Sequence, residues 1–105
     1  MPVTVKQKNS VITAYIKGDI DHHTAPLIRE NIDDAIVSIE NAKSVILDFS
    51  DVTFMDSSGV GLVMGRYRLA SQKNKSLSVE NLSLRDYRIM QMSGIEKIAK
   101  ISKKQ

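Results

Sequence analysis

Apolar and polar positions alternate at the start of the chain, in Val3 and Val5 and again through Val11-Ile12-Thr13-Ala14-Tyr15-Ile16, with Asn9-Ser10 between them. The period of two and the turn residues predict two strands joined as an antiparallel hairpin. Gly18 is expected to end the second strand, and Asp19-Ile20-Asp21-His22-His23-Thr24 reads as a polar loop. A helix should begin within residues 21–24, because Asp and Thr cap helices and Pro26 is tolerated in a first turn. Its stripe is Ala25, Ile28, Ile32, Ala35, Ile36 and Ile39, at the helical period, with Arg29, Glu30, Asp33 and Asp34 turned outward. Asn41 is its expected C-terminal residue.

Val45-Ile46-Leu47-Asp48-Phe49 is a short and nearly continuous apolar run, which predicts a strand covered on both faces. Beyond Asp56-Ser57-Ser58-Gly59 the helical period returns, with Val60, Val63, Met64 and Tyr67 on one face. Gly59, Gly61 and Gly65 each cost up to ~1 kcal/mol against alanine inside a helix, which suggests close approach of this helix to the sheet or to another backbone. Asn74-Lys75 turns into Ser76-Leu77-Ser78-Val79, a further strand. Ser83 and Asp86 have capping-box spacing, Leu82 and Tyr87 have the spacing of a hydrophobic staple, and Gly94 is a natural helix-ending residue. Ile98 and Ile101 suggest one more strand or helical turn. The order strand, strand, helix, strand, helix, strand, helix predicts a single α/β domain over residues 1–105, with a small mixed sheet that is antiparallel at the N-terminal hairpin and mostly parallel elsewhere, and with helices packed against it.

Composition narrows the function classes. A chain of 105 residues with 42% hydrophobic residues can bury a core without staples. Cysteine is absent, which excludes disulfides, zinc–thiolate sites and cysteine nucleophiles and fits a reducing cytosol. No apolar run approaches the ~20 residues that span a bilayer, and the first residues lack a signal-peptide pattern, so a cytoplasmic protein without membrane attachment is expected. The net charge of +3 hides an asymmetry. Residues 19–56 hold nine acidic and two basic side chains, and residues 57–105 hold ten basic and three acidic ones. Two solvated helix faces of opposite sign explain this, and so does a pattern that orients a protein partner. Nucleic-acid binding is not expected, since Arg66, Arg68, Lys73 and Lys75 have only Tyr67 interleaved and no stacking platform. The lysines at 97, 100, 103 and 104 read as a solvated end.

Several chemistries can be set aside. His22 and His23 are adjacent and point in different directions on any regular element, with no third metal ligand at useful spacing. A serine nucleophile at Ser57 or Ser58 lacks the glycine two residues earlier that a nucleophile elbow needs. Gly59-Val60-Gly61 is too short for a phosphate loop, and no Gly-Lys-Ser/Thr follows. Asp19 and Asp21, taken alone, are more often solvated than an acid/base pair. The remaining feature is the serine turn. A hydroxyl-rich turn that opens a helix places serines beside free N–H groups and the positive end of the macrodipole. That place suits a helix cap, an anion, or a serine that carries a phosphate part of the time. Two adjacent serines exceed what one cap requires.

The residues quoted above resemble the STAS domain, specifically the single-domain anti-sigma factor antagonists, over essentially the whole chain. Gly18-Asp19-Ile20-Asp21-His22-His23-Thr24-Ala25 is similar to that family's loop after the second strand. Phe54-Met55-Asp56-Ser57-Ser58-Gly59-Val60-Gly61, with Gly65-Arg66-Tyr67 downstream, is similar to its phosphorylation motif, and Met92-Ser93-Gly94-Ile95 to its loop near the end of the last major helix. The resemblance implies a non-enzyme that binds an anti-sigma factor, itself a serine kinase, and so frees a sigma factor. The kinase would phosphorylate Ser57, the first serine after the aspartate, and a metal-dependent serine phosphatase would reset it. Ser58 would support the turn, and Asp19 and Asp21, with Asp56 and Gly59, would help contact the partner. Glu80-Asn81-Leu82-Ser83 is closer to the general-stress antagonists, whereas His22-His23-Thr24 is closer to the sporulation ones, and Asn74-Lys75 replaces a glycine-rich turn. A constitutive STAS subunit of a transport or stress-sensing complex, with a purely structural serine, is the alternative. No cofactor is expected; weak nucleotide binding, to which STAS domains have been linked, is a third reading for which the sequence offers no phosphate loop.

Overall fold

The computed structural model describes residues 2–105. Strand β1 (Val3–Lys8) turns at Asn9, whose φ of 54° is the left-handed conformation asparagine tolerates, into β2 (Val11–Ile20). Helix α1 (Ala25–Ser38) leads to β3 (Ser44–Met55), α2 (Ser57–Gln72) to β4 (Ser76–Leu82), and α3 (Leu84–Ser93) with a 3₁₀ turn (Ile95–Lys97) to β5 (Lys100–Lys103). The five strands lie in the order β1-β2-β3-β4-β5. The first pair is antiparallel and the other three pairs are parallel, as helical crossovers require.

Burial alternates along β2: Ile12, Ala14, Ile16 and Ile20 are buried, while Tyr15 and Lys17 are exposed. Val45 and Leu47 of β3 and Leu77 and Val79 of β4 continue the buried face in register with Ile12 and Ala14. The core lies between that face and the helices, closed by Ile28, Ile32 and Ile36 of α1, Leu62 and Val63 of α2, and Met90 of α3. The expectation that Val45–Phe49 is covered on both faces does not hold. Ile46 is only half-buried on the far face, and Asp48 beside it is enclosed by polar partners. Its Oδ1 accepts from the Ser50 N–H at 2.9 Å and the Ser50 hydroxyl at 2.6 Å, and its Oδ2 accepts from Asn81 Nδ2 at 2.9 Å.

The boundaries shift where polar sequence continues an element. Strand β2 does not stop at Gly18; a register irregularity there, with Gly18 at φ 83°, carries it on to Ile20 and brings Asp19 opposite Phe54. Strand β3 runs six residues past Phe49. Its pairing with β4 ends at Asp48–Glu80, so the remainder borders β2 alone and can be polar. Helix α1 ends at Ser38, before Asn41. The buried positions of α2 are Gly59, Leu62, Val63, Arg66 and Ala70, so the face read as Val60, Val63, Met64 and Tyr67 is rotated, its other three members being only half-buried. At α3 one half of the capping box forms: Ser83 Oγ accepts the Asp86 N–H at 3.1 Å, while the Asp86 carboxylate takes Arg85 Nη1, and Gly94 ends the helix at φ 86°.

The asymmetric charge count is partly spent inside the fold. Arg66, 7% exposed, brings its Nε to 2.6 Å from Asp33 Oδ1, so a basic residue of α2 neutralises an acidic residue of α1. Lys75 is also buried, with its Nζ donating to the Glu40 carbonyl at 3.5 Å.

Candidate functional site

The site grows out of the carboxyl ends of β2 and β3, where an α/β sheet leaves a crevice. The Asp56 N–H donates to the Ile20 carbonyl at 3.1 Å and continues the parallel pairing to the last residue before α2. This bond brings the loop after β2 and the start of α2 together, so Asp19, Asp21, Asp56, Ser57, Ser58 and Gly59 share one end of the sheet.

Asp56 is the N-cap of α2 in extended conformation, with φ −99° and ψ −168°, and its Oδ1 accepts the Ser58 N–H at 2.7 Å. The Gly59 N–H donates to the Asp56 carbonyl at 3.0 Å. The cap is therefore an aspartate, and Ser58 takes part in the turn through its backbone N–H. Among the described residues neither the Ser57 nor the Ser58 hydroxyl makes a hydrogen bond. Ser57 is the first helical residue and is exposed; Ser58 is half-buried. Gly59 is the one glycine of α2 whose place demands the absence of a side chain. A Cβ there would overlap Cγ and Sδ of Met55, which is fully buried. Cβ atoms on Gly61 and Gly65 would meet nothing within 4 Å, which corrects the close approach expected of them.

Asp19, the penultimate residue of β2, is exposed, and its Oδ1 accepts from the Thr53 hydroxyl at 2.9 Å. Asp21 organises the loop. Its Oδ1 accepts the His23 N–H at 2.9 Å and the Thr24 N–H at 3.0 Å. The Thr24 N–H holds the Asp21 carboxyl below the usual carboxylate range, because the bond favours the charged form. Thr24 occupies the N-cap position of α1 without a side-chain cap bond; its hydroxyl instead accepts the Asp21 N–H at 3.0 Å and donates to the Asp19 carbonyl at 2.9 Å. The two histidine rings lie 4.0 Å apart, centre to centre.

At Ser58 an open cleft of about 380 Å³ runs between α1 and α2, lined among others by His22, Arg29, Ser58, Gly61 and Gly65. At the end of β3 the Arg85 guanidinium lies 5.7 Å from the centre of the exposed Phe54 ring. Arg85 Nη1 donates to the Met55 carbonyl and to Asp86 Oδ1, both at 3.2 Å. Sequence reasoning missed Arg85 and Thr53. Arg85 comes 30 residues after its carbonyl partner, and no local spacing marks it.

Comparison with known proteins places this geometry. The STAS domain profile matches residues 2–104. The anti-sigma F factor antagonist of Paenibacillus polymyxa is 32% identical over 101 residues, covering 96% of this chain and 86% of the relative. The anti-sigma-B factor antagonist of Bacillus subtilis strain 168 is 34% identical over 102 residues, covering 97% of this chain and 91% of the relative. Among solved structures, the unphosphorylated anti-sigma factor antagonist SpoIIAA superposes with a TM-score of 0.75 at 26% identity, over 98% of this chain and 89% of that one. The phosphorylated form of the Bacillus cell fate determinant SpoIIAA gives 0.73 at 29% identity, over 95% and 90%.

Proposed function

The chain belongs to the STAS domain family, and on that premise we propose that it is an anti-sigma factor antagonist switched off by phosphorylation of Ser57. The observation that carries the reading is the division of labour at the start of α2. Asp56 supplies the cap, so the exposed hydroxyl of the first helical residue has no structural duty among the described residues. A solved relative exists in both unphosphorylated and phosphorylated forms, which supports a fold that tolerates the group. A phosphoserine carries nearly two negative charges at neutral pH, and the N–H groups and dipole of a helix start accept them. The same charges fall beside Asp56, Asp19 and Asp21, and repel any partner that docks acidic groups there or packs closely. The fold persists while the interface changes.

In this reading the unphosphorylated chain binds an anti-sigma factor that is also a serine kinase, using Asp19, Asp21, Asp56 and the Ser57–Gly59 turn. A serine phosphatase restores the binding form. The catalytic machinery belongs to these partners, and the chain is their substrate. Incubation with the anti-sigma factor kinase of the source organism and ATP, followed by mass spectrometric mapping, is expected to place one phosphate on Ser57. Modification confined to Ser83 or Ser93, or none with an active kinase, overturns the assignment. Titration calorimetry is expected to show Ser57→Asp binding the kinase at least tenfold more weakly than wild type with an unchanged melting temperature. Binding indifferent to kinase treatment and to Ser57→Ala would favour a constitutive interaction subunit instead.

A further inference from the structure

Around the carboxyl end of the sheet, Asp19 and Asp21 stand on the β2 side, Asp56 on the cap of α2, His22 and His23 on the loop before α1, and Arg85 with Asp86 on α3. Arg85 is the cation among them that reaches the β3–α2 junction: its guanidinium lies on the Met55 carbonyl, two residues before Ser57, with most of its side chain in solvent. Its other contacts are replaceable. One is a face contact with the exposed Phe54 ring, and the other is a bond to a carboxylate that is its immediate neighbour in sequence.

Helix geometry decides which serine Arg85 can serve. At 3.6 residues per turn, Ser58 shares a flank with Leu62 and Gly65, and that flank lines the cleft against α1 together with His22 and Arg29. Ser57 lies 100° round the helix from Ser58 and does not line the cleft; its neighbours one turn on are Gly61 at the cleft's edge and Val60 beyond it, on the side that continues through Met64 to Tyr67. Tyr67 borders Glu96, Ile98, Ala99 and Lys100, in the 3₁₀ turn and β5 that follow α3, and α2 and α3 are themselves in contact. Ser58 thus lines the cleft with Arg29, whereas Ser57 does not and stands two residues from the carbonyl that Arg85 holds.

We propose that Arg85 receives the phosphoryl group of phosphorylated Ser57, moving off the Phe54 ring to do so. The inference rests on the assignment of Ser57 as the modified serine. A guanidinium offers paired N–H donors to a phosphate, a stronger contact than its present face contact with an aromatic ring. Two changes at the surface follow from one modification: the phosphate is partly neutralised within the chain, and Phe54 loses its cationic cover. The partner then meets a different surface as well as a new charge.

The test does not need the kinase. Phosphoserine is installed genetically at position 57 of the full chain, in wild type and in Arg85→Gln, and its second ionisation is followed by phosphorus NMR across pH. The free group titrates near pH 6. With Arg85 present the midpoint is expected about 0.5–1 unit lower than in Arg85→Gln, a neighbouring-cation effect reduced by solvent, and Arg85→Lys should recover part of the difference. Every other charged group near the serine is common to all these chains and cancels in the comparison. With phosphoserine at position 58 the midpoint should be indifferent to Arg85. Equal midpoints for wild type and Arg85→Gln at position 57 overturn the proposal, as does equal dependence at position 58. Because the phosphate is placed by synthesis, a kinase that modifies another serine would refute the proposed function and leave this geometry separately decided.

Discussion

Replacing Asp56 with alanine tests how much of the scaffold of the proposed switch rests on one carboxylate. Oδ1 of Asp56 holds the Ser58 N–H at 2.7 Å, one of the four amides at the start of α2 that have no partner within the helix. Loss of such a cap costs about 0.5–2 kcal/mol, and part of that is the negative charge itself, worth about 0.3–1 kcal/mol at the positive end of a helix. A central figure of about 1.5 kcal/mol divides by an unfolding entropy of about 0.2 kcal/mol per degree for a chain of this length. The expected fall in melting temperature is therefore about 7 °C. Asp56→Asn keeps the acceptor and removes the charge, so its fall should be about 2–4 °C. Ser57→Ala and Ser58→Ala remove hydroxyls that make no hydrogen bond among the described residues and should stay within about 2 °C of wild type. Thermal unfolding followed by circular dichroism, at neutral pH and low salt, ranks the four variants. An Asp56→Ala chain that melts with wild type, or a Ser58→Ala chain that falls as far, would assign the cap to serine and return Ser57 and Ser58 to a structural role.

Gly59→Ala is expected to lose about 1–3 kcal/mol through overlap with the buried Met55 side chain, less the gain in helix propensity. Gly61→Ala and Gly65→Ala, open to solvent, should gain up to about 1 kcal/mol each; urea unfolding gives the order, and a neutral Gly59→Ala would refute the packing argument. The lowered carboxyl of Asp21 stabilises the native loop fully above the ordinary carboxylate value of about 3.9, and that contribution is lost as pH falls through its lower native value. The stability gap between wild type and Asp21→Ala, measured in urea, should accordingly be constant from about pH 7 to 5 and shrink below about pH 4. A gap that widens in acid would contradict the sign.

The order of elements was legible because periodicity reports burial, and burial in this sheet is one-sided: Ile12, Ala14 and Ile16 announce the core face of β2 residue by residue. The capped start of α3 was legible for a different reason, since Ser83 and Asp86 act within one turn. What escaped was whatever depends on pairing across the chain. Gly18 looks like a stop, and only the neighbouring β3 makes it an irregularity that carries β2 two residues further. The apolar run stops at Phe49, yet β3 continues to Met55 because β2 still pairs with it after β4 has ended. Asp48 looks like part of an apolar run, although Ser50 and Asn81 satisfy it. At the site, the motif was readable, but the assignment of the cap among Asp56, Ser57 and Ser58 was not, because aspartate and serine cap helices equally well on paper.

The charge asymmetry shows how such pairing changes a functional argument. Counted along the sequence, the acidic first half and the basic second half suggest two surfaces awaiting partners. In the fold, Asp33 and Arg66 consume one charge of each sign at the α1–α2 contact, and Lys75 is withdrawn against a backbone carbonyl. Desolvation pulls the Arg66 pKa down while Asp33 holds it up, the signature of a pair that joins two helices rather than awaiting a ligand. Asp19, Asp21 and Asp56, by contrast, remain partly or fully accessible at the same end of the sheet as Ser57. The acidic charge left at the surface there is local to the serine. A phosphate at that point adds to an existing negative cluster instead of reversing a distant field. Its effect on docking should therefore be felt at contact, as a faster dissociation rate, more than in the long-range association rate.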